Sequence, residues 1–196
     1  DRDTTRLGVE AMALLDAYGI PTPAGRVVDS PVDAREFAET IGGDVVMKIV
    51  SPDILHKSDI GGVEVGVADG EVADTYADLV ARARRYQPDA TILGVQVQEI
   101  VDLDDGVETI VGTNRDPQFG PLVLFGLGGI FVEILEDTTC RVAPVSEPEA
   151  EAMTREIDAA PLLRGARGRD PADIDGIVET IQRLSQLVTD FPAILE

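Results

Sequence analysis

This chain of 196 residues contains one cysteine, one histidine, no tryptophan and only 4% aromatic residues. Because Cys140 has no second cysteine to pair with, a disulfide framework within the chain is excluded, as is a zinc site built from several cysteines. No run approaches the roughly 20 apolar residues of a membrane-spanning helix, and the polar N-terminus carries no signal-peptide pattern. We therefore expect a globular cytoplasmic protein with no membrane segment.

Positive charge is also in short supply. The chain has 16 Lys and Arg against 37 Asp and Glu, which gives a net charge of −21. Such a chain repels the phosphates of nucleic acids and anionic lipids, so neither is an expected partner. The acidic residues recur along the whole sequence, which is typical of a halophilic protein whose self-repulsion is screened by salt. The alternative is an ordinary acidic protein.

Lysine is rarer than arginine, because Lys48 and Lys57 are the only two in the chain. The single histidine, His56, precedes the second of them. If arginine replaced lysine wherever it would serve, the two survivors occupy positions that need a compact ammonium. This distribution indicates that chemistry is concentrated between residues 48 and 57.

The spacing of apolar residues predicts a mixed α+β chain. Helices are predicted over residues 4–18, 31–41, 71–86, 147–158 and 171–190. Strands are predicted over residues 26–28, 44–50, 63–68, 92–101, 107–113, 122–125, 130–135 and 141–145.

Adjacent strands are expected to pair in antiparallel fashion, and strands 92–101 and 107–113 to form a hairpin around an acidic turn. Two packed α+β subdomains are the architecture that fits this order best. We place the first over residues 1–90, with a polar loop at 51–62, and the second over residues 91–196.

A candidate phosphate site begins at Lys48, which the pattern places on the face of a strand. The loop that follows contains Ser58 and ends in Gly61-Gly62, so it offers a hydroxyl and backbone N–H donors beside the ammonium. His56 lies in this loop, and its imidazole could act as a nucleophile and hold a phosphoryl group covalently. The alternatives are a solvent-facing lysine and an ordinary surface or core histidine.

Two glutamates form a second candidate. A strand that ends with residues 99–101 offers alternating main-chain N–H and C=O groups, which the edge of an adenine needs. Glu99 and Val101 are the first and last residues of this segment. Glu108, in the next strand, could accept hydrogen bonds from ribose hydroxyls. The alternative is that both glutamates are merely solvated.

Glycine and proline mark a third region. Residues 114–121 contain Asp116 in a loop stiffened by two prolines, and residues 126–129 contain the pair Gly128-Gly129, which permits close approach of a ligand to the backbone. Two tight turns are the alternative. Cys140 is expected to be buried, and the arginines of residues 164–169 either dock a partner or belong to a surface loop.

Three motifs together resemble the ATP-grasp domain of ADP-forming acyl-CoA synthetases, the acetate–CoA ligase (ADP-forming) family. They span residues 48–63 (KIVSPDILHKSDIGGV), 115–121 (RDPQFGP) and 126–133 (GLGGIFVE). The resemblance runs over almost the whole chain. It implies an ATP-grasp fold, with two α+β subdomains and a nucleotide between their antiparallel sheets.

The resemblance also implies an activity: acyl-CoA, ADP and phosphate are interconverted with the free acid, CoA and ATP. It implies a CoA-binding partner subunit or fused domain with its own phosphohistidine, and Mg²⁺ with the nucleotide. His56 matches the histidine that relays the phosphoryl group. The implied nucleotide-binding residues are Lys48, Lys57, Ser58, Glu99, Val101 and Glu108, and the implied phosphate-side loop residues are Asp116, Gly128 and Gly129.

The family pattern continues with a Glu-x-Asp-x-Asn-Pro strand, of which Glu196 would be the first residue. We therefore expect the chain to be a fragment truncated in its second subdomain, with its metal ligands beyond Glu196 and with oligomerisation left open. A non-catalytic, nucleotide-sensing module of a protein acetyltransferase is the first alternative. A docking module that uses the arginines of residues 164–169 is the second.

Overall fold

The computed structural model describes residues 10–54, 56–102, 106–129, 137–165 and 170–196. The described helices are α1 (Glu10–Ala17), α2 (Pro31–Ile41), α3 (Val72–Tyr86), α4 (Glu147–Glu156), α5 (Ala160–Leu163) and α6 (Ile174–Asp190). The described strands are β1 (Gly25–Val28), β2 (Val45–Val50), β3 (Val63–Val67), β4 (Gly94–Glu99), β5 (Thr109–Asp116), β6 (Gly120–Leu127) and β7 (Thr138–Val142). The mixed α+β prediction is confirmed.

Local chemistry sets the ends of the helices. In α2 the Ser30 hydroxyl accepts a hydrogen bond from the Asp33 N–H at 3.1 Å, and Pro31 occupies the first turn. Gly42 ends the helix in the left-handed conformation with φ of 79°. The predicted bounds of 31–41 are therefore confirmed. In α6, Asp173 accepts from the Gly176 N–H, so the helix begins later than the predicted residue 171.

The first sheet has the strand order β1-β4-β2-β3, and every neighbouring pair is antiparallel. Alternate residues of its strands are buried with α2 and α3, which fixes which face is covered. Met47, Ile49 and Leu79 are the largest fully buried side chains of this core. Lys48 therefore points to the opposite face of the sheet.

The second sheet has the order β5-β6-β7, again antiparallel throughout. Its core joins the sheet to α4, α5 and α6. The largest fully buried side chains there are Val123, Phe125, Met153, Leu163 and Ile181.

The chain divides into two compact units, 1–14 with 21–101 and 15–20 with 102–196. The division between Val101 and Asp102 falls later than the boundary expected at residue 90, because β4 pairs with β1 and β2. For the same reason the predicted hairpin of strands 92–101 and 107–113 is wrong. The hairpin in this region is β5–β6, closed by residues 117–119.

Two predicted elements cannot be compared with the structure, and one prediction about burial is wrong. The predicted strand 130–135 and the start of the helix predicted over 4–18 lie outside the described residues. Cys140 lies in β7 and is exposed, so the expectation that it is buried is wrong. Alternation along β7, an edge strand of the second sheet, places the Cys140 side chain on the face away from the helices. Within the described ranges, no helix has both the length and the apolar character that crossing a bilayer would require.

Candidate functional site

Lys48 lies in the middle of β2, paired with Gln96 of β4 on one side and Val63 of β3 on the other. Its side chain is partly buried, and the ammonium donates a hydrogen bond to Gln98 Oε1 at 2.9 Å. Partial burial lowers the pKa of Lys48 below its usual value of 10.5, and the positive charge of Lys57 lowers it further. The ammonium is therefore poorly compensated and suited to an anionic ligand.

The loop from β2 to β3 is held at its start by two residues. Asp53 accepts a hydrogen bond from the Thr91 N–H at 2.6 Å, and the Ile54 side chain is buried in the first core. His56, two residues after Ile54, is exposed. The histidine therefore projects from a segment whose entry is fixed by packing.

The end of the loop is held more tightly. The Lys57 carbonyl accepts from the Gly62 N–H at 2.7 Å, and the Gly62 carbonyl accepts from the Ile49 N–H at 2.9 Å. A β-carbon on Gly62 would lie 2.8 Å from both the Lys57 oxygen and the Ile49 side chain. Only glycine fits this crossing, so the Gly61-Gly62 motif has a structural explanation.

A short 3-10 turn over Ser58–Ile60 connects these two anchors. Gly61, the residue that follows the turn, is left-handed with φ of 62°, and the Gly61 carbonyl accepts from Arg82 Nη1 of α3 at 2.8 Å. Arg82 also forms an ion pair with Glu64 of β3. The Arg82 side chain therefore joins the turn to both neighbouring elements.

Glu99 is the last residue of β4, and its N–H donates to the Ala24 carbonyl at 2.9 Å. The chain then leaves the sheet, so the strand ends before the predicted residue 101. The side chains of Ile100 and Val101 are 42% and 50% exposed. The main chain beyond Glu99 thus lies at the edge of the first unit.

Glu108, Gly128 and Gly129 lie together in the second unit. The Gly128 N–H donates to the Glu108 carbonyl at 2.7 Å, and a β-carbon on Gly128 would lie 2.9 Å from backbone atoms of Glu108 and Thr109. Gly129 is left-handed with φ of 69°, and the Glu108 carboxylate stands beside it. The glycine pair therefore packs directly against the glutamate that the sequence singled out separately.

Asp116 is not part of this cluster. Its carboxylate accepts from the N–H groups of Gln118 and Phe119 at 2.7 and 2.9 Å, which closes the β5–β6 turn. The register pairs Asp116 with Gly120 at one end of the hairpin and Thr109 with Leu127 at the other. Seven strand steps separate the two ends, or about 23 Å. The sequence grouped Asp116 with Gly128 and Gly129, and the structure separates them.

Sequence reasoning assigned no role to two residues that contact the candidate site. Gln98 follows Gln96 at the two-residue spacing of a strand, a signal that could have placed it on the same face as Lys48. Arg82 gave no such signal, because it lies in α3, 21 residues after Gly61 in the sequence. Among the described residues, no group of three or more His, Cys, Asp or Glu side chains is arranged to hold a metal ion.

Two antiparallel sheets, each covered by helices on one face, define an α+β chain with a cationic loop-and-strand site on one unit and a glutamate–glycine cluster on the other. A family model described as an ATP-grasp domain matches residues 1–196. The chain belongs to the ATP-grasp family, and the fold predicted from the sequence is confirmed.

Curated relatives match most of the chain. It is 47% identical over 188 residues to subunit beta of acetate–CoA ligase [ADP-forming] I from Pyrococcus furiosus, which covers 95% of this chain and 80% of that subunit. It is 44% identical over 190 residues to acetate–CoA ligase [ADP-forming] I from Archaeoglobus fulgidus. That match covers 97% of this chain, which spans only 27% of the longer relative.

Solved structures agree. A crystal structure from Pyrococcus horikoshii Ot3 superposes with a TM-score of 0.87 at 43% identity, covering 95% of this chain and 78% of that one. The dinucleotide-forming acetyl-coenzyme A synthetase 1 of Ca. Korarchaeum cryptofilum, in complex with coenzyme A, Ca-AMPCP and HgCl+, superposes with a TM-score of 0.85 at 44% identity. This match covers 92% of the present chain and 79% of that one.

Proposed function

We propose that this chain is the nucleotide-binding and phosphoryl-transfer module of an ADP-forming acyl-CoA ligase. The whole enzyme would convert acyl-CoA, ADP and phosphate to the acid, CoA and ATP. One observation carries the proposal. The only two lysines of the chain, Lys48 and Lys57, are close enough to interact electrostatically, and its only histidine, His56, adjoins the second.

In this proposal Lys48, Lys57 and Ser58 bind the phosphates of ATP or ADP. The two ammonium groups supply positive charge to an otherwise strongly acidic chain, and the Ser58 hydroxyl supplies a directed donor. Part of the cost of desolvating Lys48 is already incurred in the folded chain, as its lowered pKa indicates. An arriving phosphate therefore gains a partly desolvated partner.

His56 would carry the phosphoryl group. A nitrogen of its neutral imidazole attacks the γ-phosphorus of ATP, an N–P bond forms, and the bond to the departing ADP oxygen breaks. In the reverse direction, a β-phosphate oxygen of ADP attacks the same phosphorus and releases the imidazole. The exposed position of His56 suits a group that must meet two reaction partners in turn.

The remaining roles are assigned separately. The main chain around Glu99 and Val101, where β4 ends, is proposed to bind the adenine edge. The exposed Glu108 carboxylate is proposed to accept hydrogen bonds from ribose hydroxyls, with Gly128 and Gly129 supporting its position. Asp116 receives no ligand role, because its carboxylate is engaged in the hairpin turn.

Magnesium is proposed to arrive with the nucleotide, as in the Korarchaeum structure that contains Mg-AMPPCP. Mg²⁺ is commonly bound through substrate phosphates and a few carboxylates. The described residues include no group of three or more potential ligands, so we assign no metal ligand among them.

A CoA-binding subunit or fused domain with its own phosphohistidine is the proposed partner. The Korarchaeum synthetase has been solved with coenzyme A and with a phosphorylated phosphohistidine segment, and the Pyrococcus relative is a beta subunit. Binding and choice of the acyl group would fall to that partner.

The relay is tested by labelling the full-length protein with γ-labelled ATP and Mg²⁺ in molar KCl. We expect acid-labile, base-stable label on the parent protein, mapped by digestion to the peptide that contains His56. His56→Ala should lose this label while its nucleotide affinity, measured by calorimetry, stays close to that of the parent. Because His56 is the only histidine of this chain, a phosphohistidine label on any peptide from the chain must lie on His56.

Absence of label on the parent, with ATP binding intact, would overturn the relay and favour a non-catalytic nucleotide sensor. Absence of ATP binding would overturn the nucleotide role itself and leave a docking module. Equal labelling of the parent and His56→Ala would place the phosphoryl acceptor on the partner rather than on this chain.

We also propose that the acidic surface is an adaptation to high salt. The ion pairs of the described ranges all join an arginine to a glutamate: Arg35–Glu39, Arg82–Glu64, Arg141–Glu156, Arg155–Glu151 and Arg183–Glu179. With 37 acidic residues against 16 basic ones, most carboxylates must be screened by salt ions. The melting temperature should rise from low salt to molar KCl, and a fall would overturn this proposal.

A further inference from the structure

The face of the first sheet opposite α2 and α3 carries two amides beside its one lysine. Gln96 and Gln98 of β4 both project to the face on which Lys48 lies, since they pair with Lys48 and Val46 respectively. Gln96 is 7% exposed, and its amide nitrogen contacts Met12 Sδ of α1 at 3.3 Å. Gln96 is therefore committed to packing, which leaves Gln98 as the amide that contacts the ammonium.

The contact has a defined polarity. Lys48 Nζ lies 2.9 Å from Gln98 Oε1, and an ammonium has donors but no acceptor. The amide oxygen must therefore face the lysine, and the amide N–H groups must point away from it. The pair presents two kinds of donor on the same face of the sheet, an ammonium and an amide.

The contact also gives the lysine a direction. The residue directly opposite Lys48 is Gln96, so the contact with Gln98 is diagonal, offset by two residues along β4 towards Glu99. Two strand residues correspond to about 6.6 Å. The hydrogen bond to Gln98 thus holds the ammonium on the side of Lys48 that faces the Glu99 end of β4.

The choice of an amide rather than a carboxylate matters here. A carboxylate at position 98 would also hold the ammonium, but it would cancel the charge that an anionic ligand needs. A neutral oxygen fixes the direction and leaves the net charge in place. The neighbouring charge that lowers the pKa of Lys48 is that of Lys57, which is also positive and so does not neutralise the ammonium.

From this geometry we infer that Gln98 is a positioning residue for nucleotide binding, which holds the Lys48 ammonium towards the Glu99 end of β4 without neutralising it. The inference rests on the proposed nucleotide-binding function. In this inference the amide oxygen of Gln98 determines where the Lys48 charge lies along the strand, and packing of the lysine side chain does not.

The test uses the scarcity of lysine in this chain. In the NMR spectrum of protein labelled with ¹³C at lysine Cε, this chain contributes two resonances. The resonance that is lost in Lys57→Arg belongs to Lys57, and the other belongs to Lys48. Gln98→Met removes the acceptor at similar side-chain length, so the pKa of Lys48 should fall. Gln98→Glu supplies a negative charge, so the pKa should rise. Gln118→Met, at an exposed position in the second unit, is the matched control and should leave the pKa unchanged.

Affinity for ATP with Mg²⁺, measured by calorimetry, supplies the second readout in the full-length protein. Both Gln98 variants should bind about tenfold more weakly, the first from lost orientation and the second from lost charge, whereas Gln118→Met should bind like the parent. Opposite pKa shifts together with a shared loss of affinity form a pattern that a purely structural role does not produce.

Several outcomes would overturn the inference. An unchanged Lys48 titration in both variants would show that Gln98 does not hold the ammonium. Shifted titrations with unchanged affinity would show that its direction does not matter for binding. If the parent protein itself binds no ATP, the proposed function fails as well. The parent alone shows this outcome, so it is distinguishable from a failure of the Gln98 inference, which only the variants reveal. If Gln98→Met does not fold, Gln98→Asn, which shortens the amide, replaces it with the same expected direction.

Discussion

The carboxylate of Glu108 stands where a β-carbon on Gly129 would have to lie. Gly129 has φ of 69°, a left-handed conformation that favours glycine, and its neighbour Gly128 donates its N–H to the Glu108 carbonyl. The glycine pair thus contacts both the main chain and the side chain of one glutamate. This arrangement connects two sequence motifs that showed no relation to each other in the sequence.

The first prediction concerns Gly129→Ala. The new methyl group should push the Glu108 carboxylate aside, because the end of a flexible side chain yields more readily than backbone. We expect a loss of about 1 to 2 kcal/mol in the free energy of unfolding from the left-handed conformation. We also expect weaker binding of ATP by calorimetry, if Glu108 contacts the ribose.

Gly120→Ala is the matched control. Gly120 is also left-handed, with φ of 83°, but a β-carbon there would meet nothing within 4 Å. It should lose similar stability by chemical denaturation and keep the parent affinity for ATP. Equal affinity in both variants would remove Glu108 from the nucleotide site.

The second prediction concerns the crossing beneath the histidine loop. Gly62→Ala places a β-carbon 2.8 Å from the Lys57 oxygen and from Ile49 Cγ2, so the loop or the strand must shift. We expect the free energy of unfolding to fall by about 1 to 3 kcal/mol, as for other overpacked sites. Urea denaturation measures the change.

The comparison variant is Gly43→Ala, at an exposed site where a β-carbon would meet nothing within 4 Å. It should change stability by no more than about 0.5 kcal/mol. If Gly62→Ala is equally harmless, the close contact among these three residues is not a feature of the protein in solution.

The third prediction separates Asp116 from the ligand site. Asp116→Ala removes the acceptor for two backbone N–H groups of the β5–β6 turn, so stability should fall by about 1 kcal/mol. Affinity for ATP should be unchanged, because the cluster around Glu108 lies at the other end of the hairpin. Asp116→Asn keeps an oxygen acceptor and should recover most of the stability. A large loss of ATP binding in Asp116→Asn would return this residue to the site.

Local signals predicted the elements of this fold well. The bounds of α2 follow from Pro31 and Gly42, and the buried alternation of β2 follows from its apolar residues. Strand pairing was not predictable in the same way. An acidic turn after β4 looked like a hairpin connection, but β4 buries Val95 and Val97 in the first core and pairs with β1 and β2. Such long-range pairing leaves no local signature.

The candidate site divides in the same manner. Residue type and rarity singled out Lys48, His56 and Lys57, because few side chains perform their chemistry. Gln98 was assigned no role because a glutamine on a strand is ordinary until its partner is known. Asp116 was misgrouped because a carboxylate that closes a turn and one that faces a ligand look alike in sequence.

The last prediction concerns pH. Partial burial and the charge of Lys57 lower the pKa of Lys48, so Lys48 loses its proton at a lower pH than an ordinary lysine. Binding of phosphate requires the protonated form. Affinity for ATP should therefore fall as pH rises through the lowered pKa of Lys48, in a window that lies below the usual value of 10.5. Calorimetry from neutral pH upwards, with folding monitored by circular dichroism, measures the profile.

Two variants test the assignment of this fall. Lys48→Arg stays charged throughout the window, so its profile should be flat, although its affinity at neutral pH should be lower because a guanidinium fits the Gln98 contact differently. Lys57→Met removes the positive neighbour and should move the fall in affinity to higher pH, whatever its effect on the affinity itself. A fall at the same pH in Lys48→Arg as in the parent would assign the titration to another group. If that group is Lys57, the only other lysine in the chain, the fall in affinity should be absent from Lys57→Met; if the fall persists there, the group lies outside this pair.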